Sequence, residues 1–93
     1  MFVRVVRFED VSAERMEGLL GQVEEGGAPP GVTMEKLIVL FDEAQSTAVV
    51  VQHFATREDM EASAAVFDAM DVSETPGTRA SVDACEVKLE LEP

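Results

Sequence analysis

Tryptophan, tyrosine and asparagine are absent from these 93 residues, histidine and cysteine occur once each, and seven Lys and Arg face nineteen Asp and Glu. Each scarcity removes a class of chemistry. A single cysteine, Cys85, cannot close an intrachain disulfide, which fits a reducing compartment and reads most simply as a small core residue. A formal charge of −12 repels polyanions, and the few basic residues never cluster, so nucleic-acid binding has no electrostatic footprint. Long hydrophobic runs are missing too. The longest aliphatic and aromatic run, Leu37 to Phe41, is far short of the roughly 20 apolar residues of a transmembrane helix, so no membrane partner is expected. Arg4, Arg7, Glu9 and Asp10 interrupt the first apolar stretch and leave no room for a signal-peptide hydrophobic region, so a cytoplasmic location is expected.

What is present is apolar: 46% of the residues are hydrophobic, more than one small core uses comfortably, and oligomerisation is the natural outlet. The length predicts one domain spanning 1–93. FVRVVRF, residues 2–8, is short and β-branched and stops at Glu9-Asp10, as a strand does. Ser12 can cap a helix whose stripe is Met16, Leu19, Leu20 and Val23, ended by Gly26-Gly27 and kept from continuing by Pro29-Pro30-Gly31. A second strand is predicted from about Thr33 to Phe41. The polar stretch 42–46 then makes a hairpin to a third strand, Ala48 to Phe54. Thr56 with Asp59 resembles a capping box, and Met60, Ser63, Ala64 and Phe67 repeat the first helix's stripe with smaller residues in the middle. A loop over 73–78 containing Pro76-Gly77 leads to a last strand read as Arg79 to Leu91, where Val87, Leu89 and Leu91 alternate with charged residues.

The order βαββαβ folds without crossed connections as a ferredoxin-like α+β domain, with a four-stranded antiparallel sheet and both helices on one face. The other sheet face is left uncovered. In the third strand neither the Ala48, Val50, Gln52, Phe54 row nor the Val49, Val51, His53 row is plainly polar, so burial of the free face in a homodimer is expected.

The segment VVVQHFATREDMEASAAVF, residues 49–67, resembles the strand-then-helix signature of the antibiotic biosynthesis monooxygenase-like proteins of the dimeric α+β barrel superfamily. The resemblance covers the whole element order. It implies a dimeric α+β barrel with a pocket between sheet and helices, closed by an aromatic at the end of the third strand, here Phe54, with Gln52 at the polar place two before it. It also implies cofactor-independent oxygenation of a small hydrophobic metabolite. Haem-degrading relatives carry a ligating histidine on the following helix; this helix has none, and Ala64 lies near that place, so no cofactor is expected.

His53 is the only histidine and by type the best proton-transfer group near neutral pH, although its parity sets it opposite Gln52 and Phe54, toward the dimer interior. No further ligands for a metal are grouped around it. Neither a nucleophile elbow nor a glycine-rich loop opening a helix is present. Arg4, Arg7 and Arg79 could meet an anionic substrate, against the plainer reading that they pair with the abundant acids. The candidate catalytic set is therefore His53, Gln52 and Arg79. The candidate ligand-binding set is Phe54, Met16, Leu20, Met60 and Phe67, with Ala64 beside them. The missing Tyr, Trp and Asn weaken the enzyme reading and keep open a noncatalytic dimer that binds a small molecule or a protein partner.

Overall fold

Six elements follow one another in the order β1 (Phe2–Glu9), α1 (Ala13–Gly26), β2 (Lys36–Asp42), β3 (Thr47–Phe54), α2 (Arg57–Asp68) and β4 (Thr78–Glu86). They come from a computed structural model that describes residues 1–27, 29–70 and 75–92. The strands form one antiparallel sheet in the order β2-β3-β1-β4, the ferredoxin-like arrangement of an α+β fold. Both helix starts are set by the expected caps: Ser12 Oγ accepts from Arg15 N, and Thr56 Oγ1 accepts from Asp59 N, each at 3.1 Å. Gly27 ends α1 at φ 65°, where a side chain would be strained.

Strand alternation decides what the helices cover. Arg4, Val6 and Phe8 of β1 stand opposite Gln52, Val50 and Ala48 of β3, and all six are buried. The core has two ends. Val11 and Met16, at the start of α1, join Val6, Phe8, Ala48 and Val50 in one cluster, while Phe54, Met60 and Ser63 are buried where α2 begins. Ser63 holds the chain ahead of β2 by accepting from Thr33 N at 3.2 Å, and Gly31 passes close to Val66 of α2. The small residues in the middle of the second stripe thus make room for that loop.

Four sequence expectations shift. Cys85, expected in the core, is exposed, because β4 is an edge strand and Cys85 pairs with Val3 in the row that faces away from the helices. The second strand begins at Lys36 and not near Thr33, because the Thr33 N–H is taken by Ser63 and β3 offers Lys36 its partner at His53, one residue from its own end. The last strand stops at Glu86 and not at Leu91. Glu86 is paired with Phe2, the first residue of β1, so only the bond from Val87 N to Met1 O, 3.0 Å, lies beyond it. Leu89 and Leu91 are consequently 75% and 78% exposed despite their alternating pattern. Leu20 turns away from the core at 39% exposure, so the stripe of α1 runs through Met16, Leu19 and Val23 alone. Of the expected loop over 73–78, residues 73 and 74 lie outside the described residues.

Gly77 shows why that loop carries a glycine. A Cβ there would stand 2.3 Å from the Glu9 carbonyl oxygen, so the backbone approaches the end of β1 more closely than any other residue allows. The opposite sheet face presents Val3, Val5, Ile38, Leu40, Val49 and Val51, which are half-buried except for Leu40 at 51% exposure. No described helix is long and apolar enough to cross a membrane.

Candidate functional site

Between the two ends of the core, the helices and the sheet do not close on one another. A cavity of about 910 Å³ opens there, floored by Val6, Val39, Val50 and Gln52 of the strands. Leu19 and Val23 of α1 and Phe67 and Asp68 of α2 wall it, and Met34 and Pro76 come from the adjoining loops. Most of these groups are hydrocarbon; of the polar ones, Gln52, Asp68 and Arg79 are joined to Arg4 or to one another, while Gln22, Glu35, Lys36 and Thr75 line it elsewhere.

Arg4 is 3% exposed, an unusual place for a guanidinium, and its surroundings explain how it is tolerated. Its Nη1 donates to Gln52 Oε1 and its Nη2 to Asp68 Oδ1, both at 3.1 Å. Its plane also lies over the Phe67 ring, 5.4 Å from the centroid. Arg79, at the start of β4, donates from Nη1 to the same Asp68 oxygen at 2.6 Å. Among the described residues no buried side-chain nitrogen or oxygen lacks a partner.

The electrostatics follow from these contacts. Burial lowers the Arg4 pKa, Asp68 works against that shift, and the like charge of Arg79 adds to it. The hydrogen bond from Arg79 holds the Asp68 carboxyl below its ordinary value, with the two guanidinium charges helping. A carboxylate on the last residue of a helix opposes the helix dipole, so it is the arginines that favour its ionised form there. Two cations share one anion in this cluster. A smaller cleft of about 190 Å³ lies on its other side, lined by Met60, Ala64, Val82 and Ala84 together with Arg4 and Asp68.

No protein-family model matches this chain, and no curated protein matches it in sequence.

Gln52 and Arg79 do meet at this cavity, joined through Arg4 and Asp68. His53 does not join them: it is paired with Val3 and Lys36 in the row that faces away from the helices, so the sheet separates it from Gln52. Of the candidate ligand-binding residues, Phe67 lines the cavity and Met60 lines the smaller cleft. Phe54, fully buried, and Met16 belong to the two core ends, and Leu20 touches neither space.

Two residues that matter are not singled out by the sequence reading: Arg4, taken there only as one of three strand arginines, and Asp68. The signal for Arg4 is its parity, since it shares a row with Phe2, Val6 and Phe8 while standing opposite Gln52 in the equally apolar row of β3. Asp68 has no comparable signal, being one of nineteen acids at a helix end. Among the described residues no group of three or more His, Cys, Asp or Glu is arranged to hold a metal ion.

Proposed function

We propose that this chain is a subunit of a dimeric α+β barrel protein whose sheet–helix cavity receives a small hydrophobic metabolite. The observation that supports it most is the cavity itself, about 910 Å³ of mostly apolar space where a domain this small would otherwise close its core. Space of this size accommodates a ligand of two or three fused rings. The unpartnered sheet face supports the dimer. Val3, Val5, Ile38, Leu40, Val49 and Val51 form a contiguous apolar surface, and a second copy is the partner with a surface of the same kind. His53 then sits at that interface.

A second reading, cofactor-free oxygenation, is favoured by one feature: Gln52, the polar residue of the monooxygenase-like strand end, points into the cavity and is fixed there by Arg4. In such a reaction a benzylic CH2, acidified by a carbonyl conjugated through the ring, becomes a second carbonyl, one oxygen atom of O2 enters the product and the other leaves as water with the two hydrogens of the CH2. The substrate supplies the electrons. The cavity holds no histidine, and Asp68, engaged by two arginines, is a weak proton acceptor, so binding is the better-supported reading.

A screen of quinols and anthrones separates the two. Binding seen by calorimetry without oxygen consumption is the result expected. Oxygen uptake that falls in both Gln52→Ala and Phe67→Ala would establish the oxygenase instead, and the absence of any binding would end the cavity reading.

A further inference from the structure

The arginine cluster is not explained by folding. A buried guanidinium is costly to desolvate, and a hydrocarbon side chain in its place commonly leaves a fold as stable or more so. Yet a chain of net charge −12 sets two of its seven cations side by side at one end of an apolar cavity. Among the described residues, the charged groups of the cavity are Arg4, Lys36 and Arg79 against Glu35 and Asp68. Glu35 and Lys36 are adjacent and exposed at the rim, so among the described residues Arg4 and Arg79 share a single carboxylate, that of Asp68.

The three inner groups are not held equally. Arg4 is fixed from two directions, by Gln52 and by the Phe67 ring. Asp68 is 54% exposed on the final residue of α2 and opposes the helix dipole, so it can turn outward to water at little cost. Its carboxylate shows what the two guanidiniums bind: an oxygen anion to which both donate.

We infer that the ligand of this cavity is an amphipathic carboxylic acid, an apolar ring body with a single carboxylate that takes the place of Asp68 between Arg4 and Arg79. This rests on the cavity reading above and specifies its ligand. The ring body lies against Leu19, Val23, Met34 and Val39, and Asp68 swings aside when the acid enters. Asp68 is thus an internal competitor that keeps the arginines paired in the empty protein.

The experiment compares 2-anthracenecarboxylate with the uncharged 2-anthracenecarboxamide by fluorescence titration, a readout without background because the chain has no Trp or Tyr. The acid is expected to bind about tenfold tighter than the amide or better, as a charge-assisted hydrogen bond supplies. Arg79→Gln, at a half-exposed strand position that tolerates change, should weaken the acid about tenfold and leave the amide unaltered. Asp68→Asn should strengthen the acid several-fold, because the competitor is gone while the side chain keeps its shape. A mere structural role for Asp68 would weaken both probes. Equal binding of acid and amide, unchanged by Arg79→Gln, would overturn the carboxylate assignment and leave the cavity reading standing. Binding of neither probe at millimolar concentration would overturn both.

Discussion

Replacing Arg4 by leucine removes a guanidinium that is 3% exposed and leaves Gln52 Oε1, its hydrogen-bond partner at 3.1 Å, buried in the cavity floor. An unsatisfied buried acceptor costs about 1 to 3 kcal/mol, and loss of the contact with Phe67 adds about 0.5 to 1 kcal/mol. The pair with Asp68 contributes little, because Asp68 is half exposed and screened by water. Relief of the arginine's own desolvation works in the opposite direction, so Arg4→Leu is expected to destabilise by about 1 to 3 kcal/mol. Gln52→Leu should cost a similar amount, since it takes an acceptor from a buried charge. The double variant Arg4→Leu/Gln52→Leu removes both members and fills the row shared with Val6, Val50 and Phe54 with hydrocarbon. It should be as stable as the parent chain, or up to about 4 kcal/mol more stable, with a coupling of the same order as the single effects. Urea denaturation followed by far-ultraviolet circular dichroism, at one fixed protein concentration, measures all four corners of the cycle. A double variant destabilised by the sum of the two singles would refute the reasoning, for it would mean that Arg4 and Gln52 each hold the fold independently. If the cycle closes as expected, Arg4 is retained for what it binds.

Other consequences follow from particular contacts. Gly77→Ala forces a Cβ against the Glu9 carbonyl oxygen and should cost about 1 to 3 kcal/mol in the same denaturation assay; an unchanged midpoint would show that the loop before β4 can yield. Phe54→Ala empties a fully buried site at the end of β3 and should cost about 3 to 5 kcal/mol, more than Phe67→Ala at its half-buried position in the cavity wall. Asp68 has a folded pKa below its unfolded one, so its contribution is present above the unfolded value and is lost as the pH falls through the folded one. At its exposure that contribution stays under about 1 kcal/mol, and it should show as a slightly larger acid-side loss of stability in the parent chain than in Asp68→Asn. Val51→Asp puts a charge in the middle of the open sheet face; light scattering should change from twice the chain mass to the chain mass, and a parent chain already monomeric would remove the dimer.

The fold was legible because its cues are local and agree with one another. Ser12 and Thr56 cap helices where they stand in the chain, the polar residues 42–46 close a hairpin, and period-two rows in β1 and β3 face the same way. Strand ends were less legible, since they depend on distant partners: Thr33 is diverted by Ser63, and the alternation of Val87, Leu89 and Leu91 finds nothing to pair with once β1 has ended. The site was half legible. Gln52, Arg79 and Phe67 belong to it, but helix periodicity cannot say how far α1 and α2 stand apart, and that separation makes the cavity and moves Met16 and Leu20 out of it. Arg4 carried a signal in its parity, whereas its alliance with Asp68 joins residues 64 positions apart and has none.

Whether a ligand enters between sheet and helices is read directly by methyl-labelled NMR. On addition of 2-anthracenecarboxylate the methyl signals of Leu19, Val23, Val39 and Val50, which line the cavity, should shift, while those of Val3, Val5 and Val51 on the opposite sheet face stay in place. Shifts confined to Val3, Val5 and Val51 would contradict such entry, placing the ligand on the open face of the sheet and leaving the cavity with no role in binding.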